Sequence, residues 1–120
     1  MIFHITTGTV WQSAQAAGRY RHPSLDEVGF IHASTAQQAP AVANAFYRDQ
    51  HDLVLLVIDE TRLASELRWE PPAGPPAAGI SEADRFPHIY GPLNLEAVVR
   101  ALDFKPDSEG VFRLPPVESM

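Results

Sequence analysis

The 120 residues predict a single α+β domain, and three observations carry that reading. Residues 2–6 and 53–58 have strand patterns. Residues 9–17 and 36–47 follow capping-box pairs and repeat apolar side chains at helical spacing. A hydrophobic content of 45% in a chain of this length supports one core spanning residues 1–120.

Ile2, His4 and Thr6 alternate with Phe3 and Ile5, which predicts a short strand with one buried face and with His4 and Thr6 sharing the other. Thr9 and Gln12 form a capping-box pair for a first helix ending before Gly18, with Val10, Trp11 and Ala14 turned inward. Tyr20 to Val28, with Pro23, Ser24 and Asp26, reads as a loop containing at most one turn. Gly29-Phe-Ile-His-Ala-Ser-Thr35 then reads as strand, polar turn and helix mouth. Phe30 and Ile31 favour a strand, and Thr35 with Gln38 makes a second capping box. His32 and Ser34, two apart on extended chain, share a face. The helix mouth offers unpaired N–H groups to an anion.

The second helix is expected from about Ala36 to Tyr47, with Ala39, Val42, Ala43 and Phe46 as its buried stripe. Pro40 should distort its first turn or delay its start to about position 39. Leu53 to Ile58 is a run of six apolar residues, a strand covered on both faces and the expected centre of the sheet. Leu67 to Glu70 alternates like an edge strand. Residues 71–79, rich in proline, cannot ladder; they predict an exposed connector or a lid over a site. Phe86 to Leu93 sets histidine and tyrosine among two prolines and a glycine, Asn94 is placed to cap one turn, and strands are expected at Ala97–Phe104 and Gly110–Leu114.

Net charge is −6 and only Lys105 is lysine, which argues against nonspecific binding to nucleic acid or anionic membrane. Arg19, Arg21 and His22 form a local cluster able to meet a phosphate. With no cysteine, thiolate catalysis and disulfides are excluded; with no basic leader and no apolar run of membrane-spanning length, a cytoplasmic protein is expected.

Among five histidines, His22 and His51 lie in polar loops and read as solvated. His4, His32 and His88 stand beside Ile or Phe on strands, where an imidazole needs a partner or a cavity; they are the candidate catalytic residues, with Thr6, Ser34, Thr35 and Tyr90 as candidate binding residues. A core histidine held by hydrogen bonds is the competing reading for each. Three imidazoles can bind zinc, but separations of 28 and 56 residues without a compact ligand spacing argue for no metal. Ser34 lacks the glycine-flanked elbow of a serine nucleophile. Glu70 and Glu96 read as exposed charges, either of which can also face the site.

His4-Ile-Thr-Thr, Gly29-Phe-Ile-His-Ala-Ser-Thr, Asp52 to Asp59, Leu67-Arg-Trp-Glu70 and Phe86-Pro-His-Ile-Tyr-Gly-Pro-Leu-Asn94 together resemble the uncharacterised bacterial family called domain of unknown function 952, over nearly the whole chain. The resemblance implies a relationship to the ADP-ribosyltransferase fold: a compact split β-sheet with two main helices, and NAD bound as a substrate in the cleft. His4-Ile-Thr6 is similar to the His-Gly-Thr motif of the RNA 2'-phosphotransferase branch, and His32-Ala-Ser34 to its His-x-Ser motif. On this resemblance His4 and Thr6 would hold ribose and amide, Ser34 and the helix mouth a phosphate, and His88 or Tyr90 the reacting centre. His88-Ile-Tyr90 stands where many members place a glutamate, a departure from transferase chemistry. The alternatives are a non-catalytic nucleotide-sensing module, a histidine-based metal site and an inert interaction domain.

Overall fold

Six consecutive apolar residues need cover on both sides, and Leu53–Ile58 obtains it as β4. In the computed structural model, which describes residues 1–74, 78–81 and 83–116, β4 is the middle strand between β1 (Ile2–Thr7) and β8 (Val98–Asp103), antiparallel to both. Alternation divides the core. Leu56 and Ile58 join Ile2 on one face, while Leu53, Leu55 and Val57 join Phe3, Ile5, Phe104 and Phe112 on the other. β1 is buried on both faces rather than one, so His4 and Thr6 are interior groups.

β1 runs directly into helix α1 (Gly8–Ala17). Its cap is Thr7 and not Thr9: the Thr7 hydroxyl accepts the Val10 N–H at 3.2 Å, while Thr9 points at Asp52. Ala14 is buried and Trp11 packs partly inward, but Val10 is exposed, contrary to its expected place. The next segment is more ordered than the loop expected. It forms β2 (Arg19–Tyr20) and the single-turn helix α2 (Ser24–Glu27). β2 pairs with β7 (Leu93–Asn94).

Helix α3 (Gln38–Phe46) opens on the reciprocal box that the sequence shows. Thr35 N–H donates to Gln38 Oε1 at 3.0 Å, and Gln38 N–H to Thr35 Oγ1 at 3.2 Å. The helix starts at Gln38, later than Ala36 and one residue from the delayed start that Pro40 suggested, so that Pro40 falls within the first turn, where an N–H has no partner to lose. The buried stripe is narrower than expected: Ala39 and Ala43 are sealed, whereas Phe46 is 63% exposed.

The second sheet has the order β3 (Ile31–His32), β6 (Phe86–Tyr90), β5 (Glu66–Glu70), all antiparallel, with β5 at an edge. Leu67, Ile89 and Ile31 face the core, and opposite parity places Glu66, Arg68, Glu70, Phe86, His88, Tyr90 and His32 on the other face. Pro87 sits in the central strand, a rare position. Its carbonyl accepts the Ala33 N–H at 3.1 Å, but it has no N–H to return, and the β3 ladder ends there. Ser34 turns instead to Phe3 of β1, exchanging bonds of 2.7 and 2.8 Å. The two three-stranded sheets are joined at this point.

Ala97 to Phe104 supplies β8, as its composition suggests. Asn94 precedes a 3₁₀ turn but does not cap it; its side chain instead accepts the Ala64 N–H and donates to the Arg62 carbonyl. Gly110 to Leu114 is not a strand. Asn44 of α3 binds both the N–H and the carbonyl of Phe112, which stacks its ring near Phe104, so this backbone needs no neighbouring strand. Of the 71–79 loop, residues 75–77 lie outside the described residues, as do 117–120 of the tail. Among the described residues no helix is long and apolar enough to cross a membrane. The architecture is α+β, with several antiparallel sheets and, among the described residues, three α-helices.

Candidate functional site

A cavity of about 280 Å³ opens at the seam between the sheets, between β1, α3, β3, β6 and the segment after β5. One end is apolar. Phe3 and Ile5 of β1, Val42 and Phe46 of α3, and Phe86 form its walls, and Pro72, Ala73 and Ile80 from the two flanks of the proline-rich loop complete them. The other end holds four imidazoles, those of His4, His22, His32 and His88, with Ser34 beside them.

The four rings differ in what their nitrogens can still do. His4 is 3% exposed and both its nitrogens are engaged: Nδ1 lies 2.5 Å from the His32 carbonyl oxygen and Nε2 2.8 Å from the Tyr20 hydroxyl. A carbonyl can only accept, so Nδ1 carries the proton. Burial pushes the pKa of His4 down to about 4, outweighing that carbonyl bond, and the ring is neutral near pH 7. Nε2 therefore accepts from Tyr20, whose oxygen lies 2.9 Å from Thr6 Oγ1 and takes its hydrogen. Burial likewise pushes the Tyr20 phenol up to about 12. This chain of side chains braces the cavity floor from behind.

His22 is set by its second neighbour along the chain. The Ser24 N–H donates to His22 Nδ1 at 3.0 Å, which leaves the proton of the neutral ring on Nε2. Its ring lies edge-on to His4, with centroids 5.5 Å apart. Burial holds His22 below the usual imidazole value, against the opposing charge of Glu27.

His88 has the converse arrangement. Its Nδ1–H donates to Glu70 Oε1 at 2.9 Å, and its ring stacks on Phe30 at 3.9 Å between centroids. Glu70 also accepts the Tyr90 hydroxyl at 2.5 Å; the Tyr90 and His88 bonds hold its carboxyl below the ordinary range. Nε2 of His88 has no partner among the described residues, and no buried side-chain nitrogen there is left unpaired, so this nitrogen opens to the cavity. His32 pairs with His88 across β3 and β6, with ring centroids 5.8 Å apart. It is exposed and its ring makes no hydrogen bond; burial of part of the ring, and then the neighbouring His88, lower its pKa. The result is a fixed donor in His22, a fixed acceptor in His88 and an adaptable ring in His32.

Of the residues singled out from the sequence, His4, His32, His88 and Ser34 line the cavity, and Thr6, Thr35 and Tyr90 do not. Thr6 is taken by Tyr20, Thr35 by Gln38, and Tyr90 by Glu70, with the Arg68 guanidinium 4.4 Å from its ring centre. Sequence reading set His22 aside as a solvated loop residue and gave Glu70 only as an exposed charge able to face the site. His22-Pro-Ser24 repeats the spacing of His32-Ala-Ser34, and strand parity puts Glu70 on the face of His88. Arg21 is not available to a phosphate in the way its neighbours suggested, because it forms a two-pronged pair with Asp26 at 2.9 Å. Among the described residues no group of three His, Cys, Asp or Glu is placed to hold a metal ion.

Residues 5–101 match the family model described as protein of unknown function (DUF952). The chain belongs to the DUF952 family. The crystal structure of CC0527 from Caulobacter crescentus is similar over 94% of this DUF952 chain and 93% of its own, with 35% identity and a TM-score of 0.79. The solution structure of CC0527 agrees over 92% and 89%, at 35% identity and a TM-score of 0.73. No curated protein matches this DUF952 chain.

Proposed function

We propose that the seam cavity is a small-molecule site in which His88, backed by Glu70, acts as the proton acceptor, and that its ligand is an NAD- or ADP-ribose-related nucleotide. The observation that carries this reading is the Glu70–His88 pair. A carboxylate on Nδ1 fixes the tautomer, orients the ring and offsets the charge that appears when Nε2 takes a proton. In the same cavity, His22 carries its proton on Nε2, a donor for an oxygen that gains charge. The cavity is close to the lower end of the ~300–1,000 Å³ usual for ligand sites, so it suits one ring or sugar of a nucleotide while the rest lies over the rim.

Glu70 stands behind the cavity and works through His88. The ribose-positioning glutamate of ADP-ribosyltransferases is thus not reproduced, and any cleavage of NAD relies on histidine. Incubation with NAD should release nicotinamide, and His88→Gln should slow that release by about 10²–10⁴-fold. A thermal shift by NAD or ADP-ribose without nicotinamide release would assign the sensing role instead. No shift and no release would rule out the nucleotide.

A further inference from the structure

All nine Lys and Arg side chains lie among the described residues, and none of them lines the cavity. Four stand beside it in the chain: Arg21 is paired with Asp26 and Arg68 with Glu66 at 2.6 Å, Arg85 donates to the Ala83 and Asp84 carbonyls at 3.3 Å, and Arg48, next to Tyr47, stays outside the lining. The mouth of α3, the other usual anion site, is closed by Thr35 and Gln38 binding each other's N–H groups. The carboxylates that act on its imidazoles stand outside the lining. Glu70 stands directly behind His88, and Glu27 acts on both His22 and His32. The remaining walls are mostly apolar and include the aromatic rings of Phe3, Phe46, Tyr47 and Phe86.

We infer that the cavity admits an uncharged or cationic planar group presenting a hydrogen-bond donor beside an acceptor, such as an amide, amidine or nucleobase edge, and excludes carboxylate and phosphate. The donor of such a group meets His88 Nε2, its acceptor meets His22 Nε2–H, and its face meets the aromatic wall. An anion would give up hydration with no cation to replace it, next to two carboxylates. A nucleotide would therefore enter by its ring, with its phosphates outside the rim.

This inference rests on the cavity being a small-molecule site, as proposed above, but it is tested apart from turnover. Benzamide, benzamidine and benzoate share one shape and are neutral, cationic and anionic. Each is titrated into the full chain at about pH 8, where imidazoles are neutral, while the ring resonances of His22, His32 and His88 are followed by NMR. Benzamide and benzamidine are expected to shift these signals saturably, with benzoate at least about tenfold weaker, or about 1.4 kcal/mol. Phe46→Lys places an ammonium at an exposed cavity position near the end of α3 and should strengthen benzoate about tenfold over the parent. Benzoate binding the parent as tightly as benzamide overturns the inference, as does a failure of all three to move the rings. An absence of nicotinamide release leaves the charge ranking intact.

Discussion

Adding a proton to His4 means displacing the Tyr20 hydroxyl from Nε2 inside a sealed site, whereas the unfolded chain accepts that proton at the ordinary imidazole value near 6.5. Between about pH 6.5 and about pH 4 the unfolded state thus binds more protons, and stability falls as pH falls, by roughly 3 kcal/mol across the interval. The lowered values of His22 and His32 act in the same direction. Urea midpoints measured through this range should decline steadily, with most of the slope removed in a His4→Gln variant. His4→Ala at pH 7 should cost about 1–3 kcal/mol for each buried group left without a partner, while exposed His32→Ala should stay within about 0.5 kcal/mol and abolish the response to ligand. From sequence, apolar neighbours and strand parity suffice to bring His4, His32 and His88 to one cavity. They do not distinguish a ring with both nitrogens used from an open one, because the partners of His4 lie 16 and 28 residues away. His22 was concealed by its polar neighbours: Ser24 of its own loop fixes its tautomer, but the ring it meets in the cavity, His4, comes from β1.

Elements whose stabilising contacts are local were the legible ones. The Thr35–Gln38 box is written within four residues, and Thr35→Ala should lower stability by about 0.5–2 kcal/mol in thermal unfolding without changing α3 beyond its first turn. β4 announces itself because both its faces are apolar; Leu56→Ala, at a site with no exposure, should cost about 2–5 kcal/mol. The cap of α1 moved from Thr9 to Thr7 because a preceding strand, invisible to the helix pattern, delivers Thr7 already extended. Phe112 looked like part of a strand since its apolar character was real; its hydrogen-bond partner, Asn44, is 68 residues away on a helix. The two-residue strand β2 carries too little pattern to be read at all, whereas β3 is announced by Phe30 and Ile31.

At the scale of the molecule, the α+β class follows from the order of patterns, but the division into separate antiparallel sheets does not, because it is decided by a few contacts at the seam. Phe3 and Ser34 join the sheets through backbone, and His4 joins them through the His32 carbonyl. The cavity exists because the chain changes sheets at this point, and Pro87 marks where. Supplying the missing N–H with Pro87→Val would let Ala33 and residue 87 exchange both of their bonds, so that β3 zips one pair further along β6 and draws Ser34 away from β1. In amide hydrogen exchange the signature is a transfer of protection: residue 87 gains a slow amide, while Phe3 and Ser34 exchange faster than in the parent. A single imino ring thereby sets which of two sheets owns the strand, and with it whether there is any space between them to fill.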